Sequence, residues 1–319
     1  MTVAVAEAQP DLSTPQRIER FIEGQPPTAG VFEGSLATAD NGIYISPSVM
    51  TPELGEHGLE VVNVEMLPGA QLGTGDSHHE VAFGKAAVQV GDAVVTTGVA
   101  IKPFTTESER AGHEHDQLVR ARELGFDTFV PLAVARDGEV TYLITELRSE
   151  IESRDNVNWT ISPADTERYE AEVVPELAFM ADSMAQMHAK GVFHGDAQAK
   201  NIAKTDTGSM VVIDLEDATI VEGSEAITDA INGDYALNES LAIADVWHAW
   251  YQLIHPVTED SANLFLEGEP FETCMAVFER DYLNPYLSSL EKHAPAEVHA
   301  GLKIEELRTL VTEKVARTT

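Results

Sequence analysis

The first half of the chain alternates apolar and polar positions at the two-residue period of half-buried strands. The predicted strands are Leu59–Met66, Glu80–Val90, Val94–Lys102, Val130–Val134 and Val140–Leu147. One stretch with helical spacing, Glu107–Leu124, interrupts them. Residues 1–58 form a predicted N-terminal extension, in which a helix begins near Ser13 and gives way to sequence rich in glycine and proline.

The second half changes to the three-to-four-residue spacing of amphipathic helices. The predicted helices are Val173–Lys190, Leu241–Ile254, Ser261–Asn284 and Ile304–Ala316. A short strand pair, Asn201–Ala203 and Met210–Asp214, lies among them. The pattern therefore predicts an α+β protein with a β-rich lobe that carries one helix, residues 59–147, and a mainly helical lobe, residues 148–319.

Composition and charge narrow the class of protein. Of the 319 residues 43% are hydrophobic, which is enough for a sizeable core, and no apolar run reaches the ~18 residues of a membrane span. The single cysteine, Cys274, excludes an internal disulfide framework and a cysteine-rich zinc site. With no secretory signal in the first residues, we expect a cytoplasmic protein. The net charge of −34 argues against nucleic acid and anionic membranes as partners.

The strongest chemical signal follows the predicted helix Val173–Lys190. The sequence there is HGDAQAKN, from His194 to Asn201, and the second strand of the short pair ends at Asp214. Because the strand pair brings its two ends together, Asn201 and Asp214 can offer oxygen ligands to one magnesium ion. Asp196 is placed to accept a proton from a hydroxyl group.

A second signal is the strand segment VAIK, from Val99 to Lys102. Side chains alternate along a strand, so Val99 and Ile101 share one face while Ala100 and Lys102 share the other. The small Ala100 leaves room for a flat ring, and the Lys102 ammonium beside it can bind phosphates. On the helix that follows, the apolar stripe Ala111, Leu118 and Ala121 includes Glu114.

In order and spacing these segments resemble the protein kinase-like superfamily. VAIK matches the lysine motif of the family's third strand, and HGDAQAKN matches its catalytic loop. Asp214-Leu215-Glu216 stands where the family has Asp-Phe-Gly, and Ala244–Trp247 resembles the helix that carries a buried aspartate. The resemblance covers about residues 60–255 and implies a bilobal kinase-like fold.

The resemblance also implies roles for individual residues. ATP and Mg²⁺ would be the ligands, with Lys102 on the phosphates, Asp196 as the base for the acceptor hydroxyl, and Asn201 and Asp214 on the metal. Glu114 is the expected ion-pair partner of Lys102, with Glu107, Glu109 and Glu123 as rivals. The other expected nucleotide-binding residues are Ala100, Glu146, Leu147, Gly73 and Gly75. The expected supporting residues are His194 and Asp245, whose carboxylate would accept backbone N–H groups of the catalytic loop.

The chain also departs from the family pattern. Gly195 stands where many regulated protein kinases have an arginine, and no Ala-Pro-Glu motif lies between Asp214 and Asp245. The expected function is ATP-dependent transfer of a phosphoryl group to a hydroxyl acceptor, by an atypical Ser/Thr protein kinase. The alternatives are a kinase of small molecules, such as aminoglycosides or choline, and a catalytically silent nucleotide-binding scaffold. The histidine pairs at 78–79 and 113–115 lack the spacing of a zinc motif.

Overall fold

The structure is a computed structural model of the whole chain. It describes residues 31–33, 36–39, 42–45, 59–72, 81–90, 93–104, 108–137, 140–146, 151–153, 161, 163–233, 240–253 and 271–317. Two compact units divide the chain, Met1–Glu150 and Ile151–Thr319. The predicted mixture of α and β structure is confirmed.

The described part of the first unit contains one sheet of eight strands. They are β1 (Val31–Glu33), β2 (Leu36–Ala39), β3 (Gly42–Ile45), β4 (Leu59–Leu72), β5 (Val81–Val90), β6 (Ala93–Phe104), β7 (Pro131–Asp137) and β8 (Val140–Glu146). Their order in the sheet is β1-β7-β8-β6-β5-β4-β3-β2. β1 runs parallel to β7, whereas the pairs from β2 to β8 are antiparallel.

Among the described residues of the first unit one helix, α1 (Ser108–Glu123), packs against β6, β7 and β8. Its apolar stripe faces the sheet, since Ala111, Leu118 and Ala121 are at most 1% exposed. On β6, Val99 and Ile101 are buried while Lys102 is half-buried, as strand alternation requires. The buried face of α1 and the alternating burial along β6 fix how the helix lies on the strand. This packing determines which side chains of the two elements can come into contact.

Two features of the first unit differ from the sequence analysis. β4 continues to Leu72, well beyond the predicted end at Met66, because its irregular pairing with β5 resumes after Met66. The strands β1 to β3 come from the predicted N-terminal extension yet join the same sheet, so that β3 pairs with β4. The helix predicted from Ser13 lies outside the described residues.

The second unit is mainly helical. Its helices are α2 (Thr166–Arg168), α3 (Val174–Ala189), α4 (Ser224–Asn232), α5 (Leu241–Leu253), α6 (Phe271–Val277), α7 (Asn284–His293), α8 (Ala296–His299) and α9 (Ile304–Arg317). Its strands are β9 (Ile151–Ser153), β10 (Val192–Phe193), β11 (Ile202–Thr205), β12 (Met210–Val212) and β13 (Thr219–Ile220). They form a three-stranded sheet, β12-β11-β9, and a two-stranded sheet, β10-β13.

The core of the second unit centres on α3. Its inner face carries Leu177, Met180, Ala181 and Met184, all fully buried, and it packs against α5 and α7. Large aromatic side chains fill the space around this face: Tyr169, Trp250, Phe278, Tyr282 and Tyr286. Burial of each such side chain stabilises the fold by about 1.5–3 kcal/mol, so that this face of α3 is the principal anchor of the unit.

Two π-helical turns alter the predicted helix limits. Tyr169–Val173 leads into α3, and Phe278–Leu283 joins α6 to α7. The described part of the helix predicted over Ser261–Asn284 begins at Phe271 and continues through this turn to His293, so the predicted end at Asn284 was wrong. The Tyr169 hydroxyl donates to the Asp281 carboxylate at 2.7 Å, and this bond joins the two π-helical turns.

Among the described residues, no helix is both long enough and apolar enough to cross a lipid bilayer.

Candidate active site

In the first unit, Lys102 pairs with Glu114. The Lys102 ammonium donates to the Glu114 carboxylate at 2.9 Å, and their side chains are 14% and 6% exposed. The Lys102 Nζ also lies 5.2 Å from the centre of the Phe104 ring. Of the rival glutamates, Glu109 and Glu123 are exposed on α1 and Glu107 lies outside the described residues. The pair holds the ammonium in one orientation on the half-buried face of β6.

Removal of the Lys102 charge should destabilise the protein. In Lys102→Met the nearly buried Glu114 carboxylate loses a cation at 2.9 Å, and we expect the free energy of unfolding to fall by about 3 kcal/mol. Adding Glu114→Gln should restore part of this loss, because the neutral glutamine side chain does not need the Lys102 charge. Urea unfolding of the two single variants and the double variant measures the coupling.

The matched control is Lys204→Met. The Lys204 Nζ lies 3.4 Å from Glu176, in a more exposed pair of side chains that are 30% and 17% exposed, so its loss should cost about 1 kcal/mol or less. Additive effects of Lys102→Met and Glu114→Gln would contradict the expected coupling.

The other predicted nucleotide-binding residues fall at different places in the first unit. Ala100 is half-buried and pairs with Thr145 across β6 and β8. Glu146 ends β8 fully buried; its N–H donates to the Val130 carbonyl at 3.0 Å and its carboxylate accepts the Val130 N–H at 3.2 Å. The backbone donor of Glu146 is thus already used within the unit. Gly73, Gly75 and Leu147 lie outside the described residues.

In the second unit, the loop from His194 to Asn201 follows α3 and β10. Gly191 ends the turn after α3 with a φ of +81°, and a Cβ there would meet the Val221 carbonyl oxygen at 2.2 Å. Val221 donates its N–H to the Gly191 carbonyl at 2.8 Å, and β10 pairs with β13 beside it. This close approach of two backbones fixes the point from which the loop departs.

Asp196 is held by two side-chain amides. Gln198 Nε2 donates to Asp196 Oδ1 at 2.6 Å, and Asn201 Nδ2 donates to Asp196 Oδ2 at 2.9 Å. Asn201 Nδ2 also donates to the Asp196 carbonyl at 2.9 Å. These bonds orient a half-buried carboxylate without placing a cation on it, which suits a group that accepts a proton. Gln198 was not among the residues predicted from the sequence.

The two predicted metal ligands lie at the ends of the β11–β12 hairpin. The Ile213 N–H donates to the Asn201 carbonyl at 3.0 Å, so Asn201 sits next to the residue that precedes Asp214. Since Asn201 Nδ2 is engaged with Asp196, the amide oxygen is the atom left to face a cation. Asp214 has a φ of +60°, the one positive φ among described residues other than glycine. Such strain clusters at functional sites.

The donor chemistry of this hairpin fits Mg²⁺. An amide oxygen from Asn201 and a carboxylate from Asp214 are hard oxygen ligands, which Mg²⁺ prefers to nitrogen or sulfur. These two residues would therefore hold the metal if the protein uses one.

Asp245 anchors the loop from His194 to Asn201 by accepting hydrogen bonds from its backbone. It is 1% exposed on α5; Oδ2 accepts the His194 N–H at 2.6 Å and Oδ1 accepts the Gly195 N–H at 2.8 Å. Burial by itself raises the pKa of Asp245, but the hydrogen bonds from His188 and His194 outweigh burial and hold the pKa below its ordinary value. The carboxylate is thus charged and fully engaged at neutral pH.

The His194 ring links this loop to the hairpin. Its Nε2 lies 2.9 Å from the Ile213 carbonyl oxygen, and its Nδ1 lies 3.3 Å from the Asp196 N–H. A carbonyl only accepts and an N–H only donates, so these partners assign the neutral tautomer with the proton on Nε2. His194 therefore contacts both the backbone of Asp196 and the backbone of Ile213, which precedes Asp214.

The backbone conformation at Gly195 favours glycine. Its φ is +79°, and a Cβ there would meet the Asp217 carbonyl oxygen at 2.3 Å. A side chain at this position would both strain the backbone and displace the turn after Asp214. An arginine at position 195 is therefore incompatible with the local conformation of this chain.

His188 is a supporting residue that the sequence analysis missed. It is fully buried at the end of α3; its Nε2 lies 3.0 Å from Asp245 Oδ2 and its Nδ1 lies 2.8 Å from the Tyr286 hydroxyl. Its ring stacks on Phe193 with a centroid distance of 4.9 Å. The available signal was its place on the apolar stripe of α3, four residues after Met184, where an imidazole needs partners.

Comparisons with known proteins add nothing to this geometry. The chain matches no protein-family model. A search of curated proteins likewise returned no match.

Proposed function

We propose that the protein is an ATP-dependent phosphotransferase with a bilobal, protein kinase-like α+β fold, and that its acceptor is a Ser or Thr hydroxyl of another protein. The observation that carries the proposal is the way in which hydrogen bonds orient the Asp196 carboxylate. Both of its carboxylate oxygens accept hydrogen bonds from neutral amides, and its loop is anchored by two backbone N–H groups on the buried Asp245. This arrangement supports a positioned general base.

The chemical step assigned to these residues is transfer of the γ-phosphoryl group. The acceptor hydroxyl oxygen forms a bond to the γ-phosphorus while the bond from that phosphorus to the β,γ-bridging oxygen breaks, leaving ADP. The hydroxyl proton passes to Asp196. Lys102, oriented by Glu114, binds phosphate oxygens and offsets their charge. Catalysis of this kind depends on positioning and on charge neutralisation.

The remaining ligands follow from the same assignment. Asn201 and Asp214 would hold Mg²⁺, which when bound neutralises charge on the phosphates. The half-buried Ala100 leaves space on its strand face for the adenine ring. The backbone at the end of β8 would bond the adenine through the Glu146 carbonyl and the residues after it.

Two other functions use the same residues. A kinase of small molecules would keep Lys102, Asp196, Asn201 and Asp214 and differ in the acceptor. A silent nucleotide-binding scaffold would need no base, yet both carboxylate oxygens of Asp196 are oriented by hydrogen bonds from side-chain amides. That observation favours an enzyme over a scaffold.

The proposal predicts that ATP with Mg²⁺ stabilises the folded protein. At a hundredfold excess over Kd the gain is about 2.7 kcal/mol, because the ligand binds only the folded state. Thermal unfolding with ATP alone, Mg²⁺ alone and both together measures it. Asp214→Asn should lose the part that requires Mg²⁺, whereas Asp206→Asn, at an exposed site on the hairpin turn, should behave as the parent. An unchanged Tm of the parent with both ligands would sink the nucleotide assignment.

Transfer of labelled phosphate distinguishes the acceptors. The purified chain is incubated with γ-labelled ATP and Mg²⁺, together with either the protein fraction or the small-molecule fraction of a cell extract. Label on Ser or Thr side chains supports the protein kinase. Label only in small molecules supports the alternative kinase, and ATP binding without transfer supports the scaffold.

A further inference from the structure

Tyr286, on α7, lies at the far end of the polar chain that supports the catalytic loop. It is fully buried, and its hydroxyl lies 2.8 Å from His188 Nδ1. From there the contacts continue through His188 Nε2 to Asp245, and from Asp245 to the backbone N–H groups of His194 and Gly195. A residue 98 positions away from His188 in sequence thus reaches the loop through two intermediates.

The proton inventory fixes the direction of these bonds. Asp245 is a carboxylate and can only accept, so His188 Nε2 carries a proton and donates to it. In the neutral imidazole Nδ1 is then an acceptor, and the Tyr286 hydroxyl donates to it. Burial raises the pKa of Tyr286 well above its ordinary value, so this donor keeps its proton. Tyr286 therefore favours the one neutral tautomer of His188 that can bind Asp245.

We propose that Tyr286 is a positioning residue for the catalytic loop, acting by holding His188 in the tautomer and orientation that donate to Asp245. Without the hydroxyl, the neutral ring can move its proton to Nδ1, and Asp245 then loses one of its three donors. The remaining donors are the His194 and Gly195 N–H groups, so any displacement of the carboxylate is passed directly to the residues that precede Asp196. The consequence for turnover rests on the proposed function, whereas the effect on the loop does not.

Tyr282, one helical turn before Tyr286, provides a matched control. It is equally buried, and among the described residues its hydroxyl makes no hydrogen bond. Tyr282→Phe and Tyr286→Phe therefore remove the same atom from the same core. Both variants keep the ring that packs there, so loss of packing cannot distinguish them, whereas loss of the contact to His188 can.

The first measurement is amide hydrogen exchange of His194 and Gly195 in the folded full-length chain. Tyr286→Phe should speed their exchange about tenfold and Tyr282→Phe should leave it unchanged, because exchange reports local opening of these N–H groups. Nitrogen NMR of histidine-labelled protein reports the tautomer of His188, whose signal disappears in His188→Gln. The proton should be on Nε2 in the parent and should be found partly on Nδ1 in Tyr286→Phe.

The second measurement is turnover. In Tyr286→Phe we expect kcat to fall about tenfold with the KM for ATP unchanged, since a displacement of catalytic groups by a full ångström costs about a hundredfold. In a His188→Gln background the same change should have no further effect on kcat. Equal exchange rates in the parent and both tyrosine variants, or equal changes in both variants, would overturn the inference. If the parent transfers no phosphate, the proposed function fails, but exchange and NMR still decide the role of Tyr286.

Discussion

Asp196→Asn should lower kcat by about 10²–10⁴-fold, the usual contribution of a positioned acid–base group. The asparagine keeps the size of the side chain but cannot take the proton of the acceptor hydroxyl. Both carboxylate oxygens of Asp196 accept N–H groups, from Gln198 and Asn201. The NH₂ group of the new asparagine therefore replaces one acceptor and faces another donor. Binding of ATP should change little, since neither Lys102 nor Asp214 is altered.

The measurement is single-turnover transfer of labelled phosphate, with ATP affinity determined separately by thermal unfolding. Asp206→Asn is the control, an exposed aspartate on the β11–β12 turn, and its kcat should match that of the parent. Turnover of Asp196→Asn within about threefold of the parent would remove Asp196 from the mechanism, because a positioned general base usually contributes about 10²–10⁴-fold.

Much of the second unit's site could be predicted because the signals are local. The segment from His194 to Asn201 and the following hairpin are continuous in sequence, so their spacing alone indicates which side chains can meet. Asp245 was also recognisable, since it is a lone carboxylate in an apolar helix and a buried charge requires partners. The structure places those partners at 2.6 and 2.8 Å.

The contacts that join distant segments were not predictable. His188 contacts Tyr286, which lies 98 positions away in the sequence. The spacing of apolar residues within each helix does not indicate which residue of another helix it contacts. The π-helical turn Phe278–Leu283 breaks the period on which helix limits depend, which is why the end at Asn284 was wrong. The strands β1 to β3 are too short for an alternation of apolar and polar residues to be recognised.

By contrast, the sequence of α4 carries a recognisable helix signal. Ile227, Ala230 and Ile231 lie on one face, and Gly233 follows at its C-terminus.

Asp245→Ala should be the most destabilising of these substitutions, with a loss of about 3–5 kcal/mol in the free energy of unfolding. It leaves the His194 and Gly195 N–H groups and the His188 Nε2–H without their shared acceptor in a buried site. Each buried donor that loses its partner costs about 1–3 kcal/mol. Asp245→Asn retains one acceptor oxygen and should cost less. Asp165→Ala, at an exposed carboxylate whose side chain makes no capping bond, should stay within about 0.5 kcal/mol of the parent.

The penalty of Asp245→Ala should also depend on pH in a defined direction. Burial raises the pKa of Asp245, but the bonds from His188 and His194 outweigh it, and the folded-state pKa lies below the ordinary value of 3.8. A depressed carboxyl pKa contributes stability that is complete above the unfolded value and is lost as the pH falls through the folded one. Urea unfolding from neutral pH downward should therefore show parent and Asp245→Ala converging only below 3.8. A penalty that stays constant through this range would show that Asp245 is not the charged anchor of the loop from His194 to Asn201.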